Sequence, residues 1–425
     1  MSYMKGKALL HLNQYTMQSF KYLLLIFCLL LQACSTSKLP ISRPAEQIAT
    51  VEGQAIIKDG ARLLARKMAI RDAIRQASLQ NSSQINSRTL INQNSIALDT
   101  FTLRTTALIN NTKVIDEWIE NGIYHVRAIV RLTTGRMCTP QYRKRLAATA
   151  FPMVQLSHIS MSESNDLSNG IPREISNILT QSGAYLGRNK THTSLYTKPD
   201  LAPEITGTHP YDISDDMTLA QRSRVQFVLS GVIRDLESSP REYYRGSGLT
   251  SWIKSLNSYL FTTRSITIDI YMHDGYSGAL LFQHRYKDQA SGNIRIPKNV
   301  MVGSQSFNDT DTGNKITKII NQSVKDIQES LNCYPFHTRI LKIEENKVFI
   351  DAGAQERLNE GDQLVVYSSL GTIHQLGGEQ EVLGFDKRPA GVLTIKEITP
   401  LFAIGELEAP PHMLGIKVGD WVKSW

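Results

Sequence analysis

The chain has 425 residues, 41% hydrophobic and 20% charged, with a formal charge of +8; this is the make-up of an ordinary globular protein of about two to four domains. It excludes a disordered chain, and no stretch after Leu31 is long and apolar enough to cross a bilayer as a helix. The positive excess is mild once Lys5, Lys7 and Lys21 are set aside, and no Lys/Arg run carries interleaved aromatics, so nucleic acid is not expected as a partner.

Lys21 opens an apolar run, Tyr22 to Leu31, far shorter than the roughly 18 to 20 residues a bilayer needs. It ends in Leu31-Gln32-Ala33-Cys34. Leu31 at the third place before the cut suits lipoprotein processing and not a small-x-small site. Residues 1–33 therefore read as a lipoprotein signal peptide, with Met1 or Met17 as the start and Cys34 as the lipid attachment site. Ser35, in place of Asp, directs the protein to the periplasmic face of the outer membrane. Cys28 leaves with the leader, so Cys138 and Cys333 are the remaining candidates for a disulfide in an oxidising compartment. A bridge closing about 195 residues would stabilise by about 4 to 5 kcal/mol; two separate buried thiols are the alternative.

Residues 34–48 are a polar, Pro-containing linker, and 49–140 are expected to form an N-terminal α/β domain. Thr50 to Ile57 reads as a strand. Asp59 is a candidate N-cap for a helix reaching Gln80, with Leu63, Ile70, Ile74 and Ala77 as its apolar stripe, widened by Leu64 and Met68. Lys67, Arg71 and Arg75 share a helix face, either solvated or turned to an anionic partner. After an Asn/Ser-rich stretch from Asn81 to Asn94, Thr112 to Glu120 and Ile123 to Thr133 alternate around Asn121-Gly122, the signature of a tight hairpin.

Residues 141–333 form the expected middle domain: a strand from Phe151 to Ile159, then a helix from Pro172, in its first turn, to Gln181, with Gly183 as cap. Ser214 to Ser223 reads as a helix. Val225 to Leu236 reads as a strand with a bulge at Gly231, and Arg264 to Met272 with Ala279 to Tyr286 as a hairpin turning at Asp274-Gly275. Between them, Tyr243, Tyr244, Trp252, Leu256 and Tyr259 lie among arginines, covering the domain's own core or meeting a partner. Asp309 to Gly313 reads as the turn and cap of a strongly amphipathic helix, Asn314 to Leu331.

Residues 334–425 turn to short β-branched runs at barrel-like spacing, Val348 to Ile350, Gln363 to Tyr367, Gly391 to Ile398 and Ala403 to Leu407. Asn359-Glu360-Gly361-Asp362 echoes Lys417-Val418-Gly419-Asp420, each leading into a strand, and 368–390 reads as a long loop. The fold class expected is thus α+β multidomain, two α/β-type domains with small sheets followed by a small all-β barrel. No metal-ligand spacing, nucleophile elbow or phosphate loop is present, so no catalytic residue, metal or cofactor is expected and the chain reads as a non-enzyme.

Several of these pieces, taken in order, resemble the flagellar assembly protein T family of the H ring in polar flagella. They are Glu52-Gly53 before Ala69-Ile70-Arg71-Asp72-Ala73; Cys138 before Gln141-Tyr142 and a basic residue; and Phe227-Val228 through Gly231, Val232, Ile233, Asp235 and Leu236. Cys333 after the amphipathic helix, then Val348, Ile350, Asp351, Gly353 and Gly361-Asp362, complete the set. The resemblance implies an α/β N-terminal domain, a middle domain similar to the N-terminal domain of TolB, and a C-terminal β-barrel. It also implies a structural role: many copies stabilising the ring beneath the outer membrane, with the P and L rings and other H-ring subunits as partners. Members of that family carry an ordinary secretory signal, whereas this chain carries the Cys34 pattern. Tyr243, Tyr244, Trp252, Arg71 and Arg75 are the candidate partner contacts. An envelope lipoprotein that binds peptidoglycan or a secreted polymer is the alternative, and an unrecognised hydrolase a third.

Overall fold

A computed structural model describes residues 46–80, 112–133, 140–159, 166–204, 215–240, 262–374 and 382–424. The leader, the linker before residue 46, the Asn/Ser-rich stretch and the aromatic segment 241–261 lie outside these residues.

At the N-terminal end, β1 (Glu46–Ile56), β2 (Thr112–Glu120) and β3 (Ile123–Thr133) form an antiparallel sheet in the order β1-β3-β2, with helix α1 (Arg62–Gln80) on one face. Asn121 and Gly122 both take positive φ, 51° and 77°, and make the tight turn their sequence implies. The buried side of α1 is Ala65, Ala69, Ala73, Ile74 and Ala77, set against Val51, Val126, Ala128 and Val130. These small side chains let the helix backbone descend on β1 at Gly53, where a Cβ would overlap the Ala69 carbonyl and the Ala73 amide. That contact fixes the rotation of α1. Leu63, expected on the buried stripe, is therefore 37% exposed.

Asp59 is not the helix cap. Asp59 and Gly60 take positive φ in a turn, and α1 starts two residues later. Its first amides are capped from the other end of the chain instead: the Glu408 carboxylate accepts from Leu63 N at 2.6 Å and Leu64 N at 3.2 Å. Ala61 and Leu64 beside them join the core of the C-terminal barrel.

The central layer is a mixed sheet of β4 (Lys144–Thr149), β5 (Tyr185–Lys190), β6 (Phe227–Asp235), β7 (Ser238–Pro240), β8 (Thr262–Asp274) and β9 (Leu280–Ser291). β4 runs parallel to β5 and β6, and β8 is antiparallel to β6, β7 and β9. Helices α2 (Leu167–Gln181) and α4 (Asp311–Leu331) cover one face. Ile171, Ile175 and Leu179 of α2 and Ile316, Ile320, Ile327 and Leu331 of α4 meet Leu146, Phe227, Leu229 and Ile268 there. The α4 stripe is the one the sequence predicts, and Thr310 caps it by accepting from Gly313 N at 2.9 Å. Helix α3 (Asp215–Ser223) sits on the opposite face, where Ala220 packs with Ala147 and Val228.

Three expectations fail in this layer, each for a local reason. Phe151 to Ile159 is not a strand, because Pro152 has no N–H for a ladder, and only an isolated bridge, Met153 to Ile233, forms there. The strand is the basic-looking Lys144–Thr149. Pro172 stands in the second turn of α2; the Ser168 carbonyl it leaves without a helical donor accepts from Phe151 N at 2.8 Å. The β6 bulge falls between Ile233 and Asp235, while Gly231 is small because the Phe151 ring lies against it. The expected hairpin does form, β8 pairing antiparallel with β9 out to His273 opposite Leu280, with the positive φ of its connection, 69°, at Gly278. Gly183 does end α2 as expected, at φ 77° with its N–H on the Thr180 carbonyl.

The C-terminal strands β10 (His337–Glu344), β11 (Lys347–Ile350), β12 (Gln363–His374), β13 (Val382–Ile398), β14 (Ala403–Leu407) and β15 (Trp421–Lys423) close into a barrel in the order β10-β11-β14-β13-β12-β15. Exchanging β10, β11 and β12 with β13, β14 and β15 leaves this order unchanged, so the barrel is two interlocked βββ units related by a twofold. The sequence echo lies at matching places in the two units. Gly361 and Gly419 have φ of 86° and 89°, and the following Asp accepts the amide three residues back: Asn359 N on Asp362 at 2.8 Å, Lys417 N on Asp420 at 2.7 Å. Residues 368–390 are not simply a loop. β12 and β13 stay paired out to His374 opposite Val382, and register shifts accommodate Gly371 and Pro389. The fold is α+β, with small sheets and few helices ahead of a closed barrel.

Candidate functional site at the seam between the central sheet and the barrel

Alternation along β4 sends its two basic residues in opposite directions. Lys144 points to the helix face and donates to the Leu331 and Asn332 carbonyls, at 2.7 and 3.0 Å, at the C-terminal end of α4. The negative end of a helix suits a cation, but burial pushes the Lys144 pKa down to about 7. Arg145 points the other way and crosses into the barrel.

There Arg145 Nε donates to Glu356 Oε1 at 2.7 Å and Nη1 to Asp351 Oδ1 at 2.9 Å. Arg224, just past α3, holds the same Asp351 through both Nε, at 2.7 Å, and Nη2. Glu356 is fully buried, and its second oxygen accepts from Gly353 N at 2.7 Å. Burial opposes the Arg145 charge, but the bonds to Glu356 and Asp351 outweigh it and hold its pKa above the ordinary arginine value. The amide of buried Gln226 zips the same seam, donating to the Pro335 carbonyl at 2.8 Å and accepting from His337 N at 3.2 Å.

Beside this network lies a cleft of about 230 Å³, lined from the central side by Arg145, Arg224 and Tyr276 and from the barrel by His337, Arg339 and Asp351. The Tyr276 ring meets Trp421 edge-on at 4.1 Å, and Arg339 lies over Trp421 with 4.5 Å to the ring centre. Burial, then the charges of Lys423, Lys387 and Lys144, hold His337 well below the ordinary histidine range.

Of the residues singled out from sequence, Cys34, Cys138, Tyr243, Tyr244 and Trp252 lie outside the described residues. Cys333 is disulfide-bonded. Arg75 is exposed but paired with Asp72 at 2.7 Å, and Arg71 is half-buried with a partner of its own. The α1 basic face is thus partly neutralised at Arg75. His158, Asp235 and Glu237 bring ligand atoms within 4.8 Å of one another at the β6 bulge, but His158 Nδ1 already accepts from Leu236 N and Asp235 from Glu237 N. Sequence reasoning missed Arg145, Arg224 and Glu356, whose partners lie more than a hundred residues away. The signal on offer was the unbroken run Arg143-Lys144-Arg145 directly ahead of an apolar strand core.

Residues 47–134 match the family model for the N-terminal domain of flagellar assembly protein T, residues 136–302 the middle domain and residues 345–424 the C-terminal domain. The chain belongs to the flagellar assembly protein T family. Family-motif residues sit at the contacts described: Gly53 against Ala69 and Ala73 of α1, Asp351 and Gly353 at the seam, and Gly361-Asp362 in the repeated turn. No curated protein matches the sequence.

Solved structures similar to this flagellar assembly protein T chain are distant. A hypothetical protein from Chlamydia trachomatis is 13% identical with a TM-score of 0.29, covering 44% of this chain and 97% of its own. A PelC dodecamer subunit from Paraburkholderia phytofirmans is 10% identical with a TM-score of 0.24, covering 46% and 91%. Lipoprotein GNA1162 from Neisseria meningitidis is 12% identical with a TM-score of 0.22, covering 44% and 99%.

Glu356→Gln should lower the unfolding free energy by about 3 kcal/mol, because it leaves buried Arg145 short of a counter-charge, whereas Arg145→Met with Glu356→Leu together should recover most of the loss. Urea midpoints of the three proteins decide this, and a Glu356→Gln protein as stable as wild type would remove the network from the seam. The Lys144 shift has its own signature. Its folded pKa near 7 lies below the unfolded value of about 10.4, so between them the unfolded chain holds more protons and stability rises with pH. From pH 7 to 9 the wild type should gain up to about 1.4 kcal/mol per pH unit relative to Lys144→Met, and parallel profiles for the two would contradict it.

Proposed function

We propose that this flagellar assembly protein is a non-enzymatic structural subunit of the basal body. It builds and stabilises the H ring beneath the outer membrane in many copies, against the P and L rings and other H-ring subunits. The observation that carries the reading is the match to all three family domains in order along one chain. The joints between layers support it: a ring subunit must transmit load between modules without hinging. Here the barrel caps α1 through Glu408 and grips the central sheet through Asp351 and Glu356. The Cys34 pattern adds a lipid tether, which holds the subunit at the periplasmic face of the outer membrane.

The three modules are assigned to residues 49–140, 141–333 and 334–425, following the linker at 34–48. The partner of Cys333 in its disulfide is assigned as Cys138, tying the exit of the first module to the start of the third. Tyr243, Tyr244, Trp252, Arg71 and Arg75 are assigned as partner contacts.

Deleting the gene and imaging basal bodies in frozen cells should show a missing or narrower outer ring together with impaired swimming. Complementation with Cys34→Ser should leave the leader uncut and the protein unacylated, so that it fails to reach the outer-membrane fraction. Intact rings and normal swimming in the deletion strain would end the ring assignment. Peptide mapping without reductant should recover one linked pair containing Cys138 and Cys333; recovery of Cys138 as a free thiol would refute the pairing.

A further inference from the structure

Among the charged groups of the seam, Arg339 alone in the cleft lining lacks a counter-charge. Arg145 and Arg224 share Asp351 and Glu356, whereas Arg339 makes no ion pair among the described residues. Its Nη2 is out of solvent and has no hydrogen-bond partner, and neither do the two ring nitrogens of His337 next to it in the cleft. Native interiors pair such donors almost without exception.

The aromatic surroundings hold Arg339 ready for an in-plane partner. Trp421 lies 4.5 Å and Tyr276 5.6 Å from the guanidinium carbon, ring centre to Cζ. Rings lie against the faces of a guanidinium and leave its N–H edge for an acceptor, with the fork geometry that matches a carboxylate. A neutral imidazole at His337 supplies one N–H donor and one acceptor to the same space.

Charge selects an anion, and size and lining select within the anions. Arg145 and Arg224 are matched by Asp351 and Glu356, whereas Arg339 has no acid beside it and Lys144, Lys387 and Lys423 add positive charge around His337, so the cleft favours an anion. The cleft of about 230 Å³ lies below the roughly 300 to 1,000 Å³ of drug-sized pockets, and Ala220, Val225, Phe336 and Leu341 give it apolar wall. We propose that the seam cleft is a binding site for a small organic monocarboxylate, its carboxylate held by Arg339 and His337 and its short apolar body lying between the central sheet and the barrel. This goes beyond the assembly role and does not depend on it.

The test uses the purified mature chain at pH 7 and constant ionic strength, titrated separately with propionate, benzoate and inorganic phosphate by calorimetry and tryptophan fluorescence. At least one of the two acids should bind saturably with Kd of about 1 mM, the range one charge-assisted pair supports. Arg339→Gln should weaken it by about tenfold or more, and Arg339→Lys, which keeps the charge but loses the fork, by several-fold. Arg339→Lys carries the test if Arg339→Gln does not fold. Saturable binding by neither acid, affinity unchanged in Arg339→Lys and Arg339→Gln, or tighter binding of phosphate than of both acids would overturn the proposal.

Discussion

The structure hangs on a buried arginine that belongs to one module and finds its counter-charges in another. Arg145 is 7% exposed, and Glu356 opposite it is fully buried. A charge taken that far from water is tolerated only where fixed acceptors replace the solvent, and removing one partner of such a pair costs about 3 to 5 kcal/mol. The central sheet therefore cannot leave the barrel without exposing or stranding ions, which makes the seam an all-or-none contact. Strand alternation doubles the effect, since the neighbouring Lys144 fixes the end of α4 on the opposite face. One dipeptide at the start of β4 thus ties together the two sides of the sheet.

A second long-range contact follows the same logic with opposite polarity. The free amides at the start of α1 need an acceptor, and Glu408 of the barrel supplies it while also accepting from Val392 N. Burial raises the Glu408 pKa, and the three amides work against that rise by favouring the carboxylate. Helix α1 is thereby shared between two cores: its alanine face lies on β1 at Gly53, and its first turn lies in the barrel. Joints made of directional bonds keep relative orientation better than apolar contact alone, because ion pairs and caps have one geometry and greasy surfaces have many.

The cleft follows from the joint. Two modules clamped along one line leave space beside it, and here Arg339 and His337, two positions apart on β10, line that space together with Tyr276. The barrel twofold places the Asp362 and Asp420 turns at equivalent positions, and β15, which follows the second turn, sets the Trp421 ring against Arg339. A backbone device for turning the chain and the ring that supports Arg339 thus sit on adjacent residues.

Local periodicity was enough to give the sequence its α4 stripe, the Asn121-Gly122 hairpin, the barrel runs and the repeated Gly-Asp turn, because each depends on neighbours within a few positions. Of these, the barrel run at Val348 and Ile350 and the Gly361-Asp362 turn also carried the family resemblance. Contacts between distant segments were beyond it. Nothing near Lys144-Arg145 in the chain points to the α4 carbonyls and the Glu356 carboxylate that meet them. Asp59 is as good a cap by composition as any, and loses only because Glu408 arrives from the far end of the chain. Leu63 looks buried until Gly53 lets the alanines in. Pro172 breaks no helix because Phe151 takes up the carbonyl it orphans. Sequence encodes which groups need partners, and the tertiary structure alone decides which partners they meet, since burial energy depends on distance in space and not along the chain.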